Sequence, residues 1–114
     1  MSKRQDREHL RFEGIMPLKF RTKLSGGWRR AEVKDIGTGG LSFLVSSGLW
    51  IGGLSIDMEI DLPLLSLISA SGRITRVKKV SEGKEVAVQF TSLNEKDQIL
   101  IGRFILSRKR AGRG

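Results

Sequence analysis

The nine residues 54–62 alternate without a break. Leu54, Ile56, Met58, Ile60 and Leu62 interleave with Ser55, Asp57, Glu59 and Asp61. A period of two puts the apolar set on one face of a β-strand and the polar set on the other. The segment therefore commits the chain to a sheet with one buried side. Its wet face is acidic, a poor surface for polyanions. Asp57, Glu59 and Asp61 read as a solvated strand face, with a cation site as the alternative.

Other segments carry weaker versions of the same pattern. Residues 16–24 alternate through Met16, Leu18, Phe20, Thr22 and Leu24; Ser25-Gly26-Gly27 supplies a turn, and residues 28–33 return as the partner of a hairpin. Residues 41–46 are rich in large apolar side chains and are expected to be central. Residues 69–80 contain Ile74, Val77 and Val80, whose spacing breaks strict alternation and calls for a bulge near Thr75. Glu82-Gly83 makes a turn into residues 85–90. Six strands, short turns and only two prolines fit a small antiparallel barrel or closed sandwich. Met16 and Met58 fall at apolar positions and belong to the core, while Trp28 and Trp50 read as hairpin or rim packing.

The period changes at the end of the chain. Ser92-Leu93-Asn94-Glu95 fits a capping box, with Asn94 and Asp97 as an alternative cap. Ile101 and Ile105 are four apart, as are Leu100 and Phe104, which gives an apolar helix face. A helix of roughly 12–15 residues is expected, closing one end of the barrel. Arg103, Arg108, Lys109 and Arg110 suit the negative end of its dipole.

Charge and composition exclude several functions. The net charge is +9, but residues 1–11 net +2 and residues 103–114 net +5, leaving a nearly neutral body. There is no Cys, which removes thiol nucleophiles and Cys-ligated zinc. A single histidine, His9, makes a poly-His metal site or a catalytic triad improbable, and no base, nucleophile or metal cluster converges at plausible spacing. The reading is a protein that is not an enzyme, with no metal and no cofactor. MSKRQDREHLR has no apolar stretch behind its charges, and the run LPLLSLIS is too short to span a bilayer, so a cytoplasmic protein without a membrane span is expected.

Two motifs carry chemistry. Arg7 and Arg11 form an RxxxR pair ahead of the first strand. Guanidinium grips phosphate oxygens or the O6/N7 edge of guanine bidentately. A solvated basic arm is the competing reading, because 12 arginines in 114 residues give about one such pair by chance. The second motif is Asp35-Ile36-Gly37-Thr38-Gly39-Gly40. Its glycines call for positive φ or for close approach of another group. Exposed amides there can form an anion-binding nest, and Asp35 can accept from the N1 and N2 groups of guanine. A tight turn in which Asp35 caps its own loop is the alternative. It is not a P-loop, since no Lys-Ser/Thr pair follows.

In their order along the chain these segments resemble the PilZ family, bacterial receptors for cyclic di-GMP. Arg7 and Arg11 match its RxxxR arm, Pro17 falls where its first strand often opens, and DIGTGG stands for (D/N)xSxxG. GRITRV at 72–77, EVAVQF at 85–90 and the terminal helix follow in the same sequence. The resemblance implies an all-β fold with a C-terminal helix: a small six-stranded antiparallel β-barrel of split-barrel type, capped by one α-helix. Residues 1–12 would be a flexible basic arm, 13–92 the barrel, and 93–114 the helix and basic tail. Arg7 and Arg11 would clamp guanine edges and phosphates, Asp35 would take the guanine N1/N2 edge, and Gly37 and Gly40 would keep the loop against the ligand. Arg4 is a further candidate for the clamp, and Arg76 for stacking on a purine ring. Gly37 replaces the family's Ser and removes one hydroxyl. The implied partners are cyclic di-GMP and an effector protein, with the arm folding over the ligand to alter the effector's surface. A small basic barrel that binds RNA or DNA, and a ligand-blind adaptor marked by Gly37, are the alternatives.

Overall fold

The computed structural model describes residues 11–46, 48, 50–62 and 66–113. Six strands are present: β1 (Arg11–Arg21), β2 (Arg29–Gly37), β3 (Gly40–Val45), β4 (Ser55–Leu62), β5 (Ser66–Val80) and β6 (Gly83–Ser92). One helix, α1 (Glu95–Arg113), follows. The strands close into a barrel in the order β1-β2-β3-β6-β5-β4, all pairs antiparallel, with β1 pairing β4 at the seam. That closure decides between barrel and sandwich, and it leaves no open sheet edge.

The alternating strands deliver their apolar faces to one interior. Ile56, Met58, Ile60 and Leu62 of β4 are buried beside Met16, Leu18, Phe20, Phe43 and Ile68. Trp50 plugs this core as well as rimming it: its ring centroid lies 5.0 Å from that of Phe20 and 5.6 Å from that of Phe43. Trp28 is exposed, with the Arg21 guanidinium 4.6 Å from its ring centroid. On the acidic face Arg21 pairs with Asp57 at 3.2 Å, and Ser71 Oγ donates to Asp57 at 3.0 Å.

β2, β5 and β6 run a few residues beyond the ranges read from sequence, and three further boundaries differ for local reasons. β1 ends at Arg21 rather than at Leu24, because Thr22 and Ser25 turn the backbone. Ser25 Oγ contacts the Thr22 and Gly27 carbonyls, Thr22 Oγ1 accepts from Leu24 N, and Leu24 is left exposed. Gly26 and Gly27 take φ of 73° and 128° to complete the turn. At its other end β1 begins at Arg11, so Arg11 and Phe12, read as part of the arm, pair with Gly37 and Ile36. The helix runs 19 residues, longer than the 12–15 expected. The residues beyond Leu106 are mostly good helix formers, and their basic charges suit its C-terminal end.

Of the two cap readings, the Asn94 one is realised. Asn94 Oδ1 accepts from Asp97 N at 2.9 Å, so the helix starts at Glu95. Ile101, Phe104 and Ile105 enter the barrel core, and the helix packs on β1 and β2. Glycine at 102 lies against the Thr38 methyl, so Thr38 faces the helix and not the outer wall.

Candidate functional site

Irregularities in three strands build the candidate site. On β2 the register passes from Val33–Phe43 to Asp35–Ser42, leaving Lys34 extra. Without this bulge Asp35 would point inward beside Val33; with it, Asp35 faces out and Ile36 is buried. β1 has a matching irregularity between Glu13 and Met16. On β5 the register passes from Ile74–Val88 to Arg76–Ala87, with Thr75 extra, which is the bulge expected from sequence. Thr75 Oγ1 donates to the Ala87 carbonyl at 3.3 Å, and Arg76 is turned outward.

A single outer row results. Glu13 pairs with Asp35, Asp35 with Ser42, Ser42 with Ala87, and Ala87 with Arg76. Around it is a cavity of about 270 Å³ lined by Asp35, Gly39, Gly40, Ser42, Thr75, Arg76, Glu85, Ala87 and Gln89, among others. Asp35 and Arg76, 41 positions apart in sequence, therefore share one small cavity.

Gly40 has a backbone reason to be glycine. A Cβ there would run into the Val88 carbonyl oxygen and come within 3.2 Å of Gln89 Cα, so its absence lets β3 lie against β6. Neither Gly39 nor Gly40 has the positive φ offered as one explanation of the glycine run; close approach at Gly40 is the cause. Gly39 O accepts from Phe90 N at 2.9 Å, tying the turn to β6. Gly37 is buried at the end of β2, directly across from Arg11.

The electrostatics of the cavity are mixed. Glu85, only 12% exposed at its side chain, pairs with Lys34 at 3.2 Å. The bulge that exposes Asp35 thus also places Lys34 where it offsets the second carboxylate. Arg76 supplies the positive group, and Gln89 and Ser42 are neutral donors and acceptors.

Of the residues singled out from sequence, Asp35, Gly40 and Arg76 line the cavity. Gly37 does not line it and pairs instead with the backbone of Arg11. Arg4 and Arg7 lie outside the described residues. Sequence reasoning missed Ser42, Thr75, Glu85 and Gln89. Alternation gives the outward face of Ser42 and Gln89, but it does not say which outward face lines a cavity. A larger groove of about 590 Å³ lies elsewhere, between Pro17, Lys19, Arg30, Glu59 and Leu67, and holds none of the candidate ligand-binding residues. Among the described residues no group of three or more His, Cys, Asp or Glu could hold a metal ion. No helix among them is long and apolar enough to cross a membrane.

A family model described as PilZ domain matches residues 5–107. The chain belongs to the PilZ domain family. Solved structures agree on the fold. The PilZ protein is similar to the Bacillus subtilis inhibitor of motility MotI/DgrA, at 18% identity and a TM-score of 0.83, covering 92% of this chain and 52% of that one. It is also similar to the PilZ domain of YcgR from Escherichia coli, solved with c-di-GMP, at 14% identity and a TM-score of 0.72, covering 90% and 91%. MrkH from K. pneumonia in its apo state gives 20% identity and a TM-score of 0.74, covering 91% and 51%. The chain thus spans about half the length of MotI/DgrA and of MrkH. No curated protein gives a significant match.

Proposed function

We propose that this PilZ domain is a receptor for cyclic di-GMP, binding it on the outer barrel wall between the β2–β3 turn and β5. The observation that carries this reading is the Arg11–Gly37 pairing. It brings the backbone at the end of the RxxxR motif beside DIGTGG, the two motifs that would supply guanidinium and carboxylate to one ligand. Asp35 accepts from guanine N1 and N2, the arginines hold O6, N7 and phosphate oxygens, and Arg76 offers a planar cation to the purine face. Support comes from YcgR and MrkH, both of which have been solved with c-di-GMP.

In this mechanism the arm that ends at Arg11 closes over the dinucleotide and changes the surface offered to an effector protein, an order-on-binding switch. No chemical step is assigned. A nucleic-acid-binding barrel is less well supported, because the cavity carries Asp35 and Glu85 and the β4 face is acidic.

Titration calorimetry with cyclic di-GMP tests the reading on wild type and Arg11→Ala. The bidentate contact is worth about 1–3 kcal/mol, so the variant binds roughly 5- to 150-fold more weakly. Unchanged affinity in the variant removes the clamp. No heat from folded wild-type protein removes the receptor assignment and leaves the ligand-blind adaptor.

A further inference from the structure

One polar group in the cavity wall lacks a partner. Ser42 is 5% exposed, and its Oγ is shielded from solvent with no hydrogen-bond partner among the described residues. Buried hydroxyls are ordinarily paired, so an orphan calls for an explanation. A packing role does not give one, since Ala fills nearly the same space without a polar atom.

Its position suggests the missing partner. Ser42 lies at the centre of the outer row, between Asp35 on β2 and Ala87 on β6. Continuing the Ile36–Leu41 register puts Gly37 across from Gly40, which makes Ser42 the diagonal neighbour of Gly37 on the same face. Such diagonals are about 7–8 Å apart. Gly37 offers no side chain there, and Ser42 brings a hydroxyl to the same face. Arg76 and Gln89 line the same cavity and are long and exposed, so a change of rotamer at either would open the wall to a ligand.

We infer that Ser42 Oγ is a ligand-contacting hydroxyl of this site, pairing with a polar edge of the bound guanine nucleotide. The inference rests on the receptor reading above and adds a specificity residue to it. The hydroxyl is unsatisfied in the free protein and satisfied in the complex, so affinity and stability respond to its removal with opposite signs.

Ser42→Ala tests this, with cyclic di-GMP titration and thermal melting of the free protein run side by side. The expected result is affinity about 2- to 13-fold weaker, the range for one neutral hydrogen bond, with a melting temperature equal to or above wild type. Ser42→Thr keeps a hydroxyl and retains more affinity than Ser42→Ala if it folds as wild type. Wild-type affinity in a folded Ser42→Ala overturns the inference and leaves the receptor reading standing. A lowered melting temperature in Ser42→Ala also overturns it, because the hydroxyl then has a structural role. No binding by folded wild type overturns the receptor reading, and the Ser42 contact falls with it.

Discussion

Gly40→Ala isolates the close packing on which the site is built. An added Cβ meets the Val88 carbonyl oxygen well inside van der Waals distance, and both Gln89 Cα and Val88 C lie at 3.2 Å. Every obstacle is backbone, so no side chain can swing away, and β3 must part from β6. Overpacking that side chains can absorb costs about 1–3 kcal/mol. Here a weakened ladder hydrogen bond adds about 1 kcal/mol. The expected destabilisation is therefore about 2–4 kcal/mol, a large part of the ~5–15 kcal/mol that holds a typical domain. At roughly 4 °C per kcal/mol, the value between smaller and larger domains, the melting temperature falls by about 8–16 °C. Gly39→Ala is the control one residue earlier: its Cβ meets nothing within 4 Å and its φ is not positive. Its stability is unchanged, or raised by about 0.4–1 kcal/mol through the unfolded chain. Urea and thermal unfolding followed by circular dichroism measure both. A Gly40→Ala protein as stable as wild type, or one no less stable than Gly39→Ala, refutes the close-approach argument.

Other expectations follow from single contacts. Asn94→Ala removes the acceptor for Asp97 N and lowers stability by about 1 kcal/mol in urea unfolding, with the loss confined to the helix end in hydrogen exchange. Asp57→Ala breaks the Arg21 pair, whose side chains are each 50% exposed, and changes stability by less than about 1 kcal/mol, a difference that shrinks as salt is raised. Phe43→Ala opens the cluster shared with Phe20 and Trp50 and costs about 3–5 kcal/mol, read as lost cooperativity or an unfolded protein on heating.

Much of the barrel was legible because its signal is local. The unbroken alternation of residues 54–62 required a half-buried strand and gave β4 nearly to the residue. The apolar spacing of Leu100, Ile101, Phe104 and Ile105 gave the face of α1 that enters the core. The bulge at Thr75 was legible because Ile74 and Val77 are three apart. Val33 and Ile36 carry the same three-residue spacing, and the bulge at Lys34 is its consequence. That spacing was the available signal for the outward turn of Asp35.

The rest was hidden for physical reasons. The charged start of β1 gives no alternation signal in the sequence; its place in the sheet comes from backbone pairing with β2. Glu85 and Gln89 look like ordinary solvent-facing strand residues; only the order β2-β3-β6-β5 brings them beside Asp35. Ser42 lies in an apolar run, where sequence gives no hint that a hydroxyl would be buried without a partner. A site assembled across neighbouring strands depends on register, and register is a property of the whole closed sheet.

The central claim is that one cavity on the outer barrel wall receives a guanine dinucleotide. Backbone amide shift mapping during titration with cyclic di-GMP tests it most directly. The account predicts saturable shifts grouped at Asp35, Gly37, Gly40, Ser42, Arg76 and Gln89, with Lys19, Arg30 and Glu59 at the larger groove unmoved. Shifts grouped at that groove or along β4, with the β2–β3 turn silent, would contradict it.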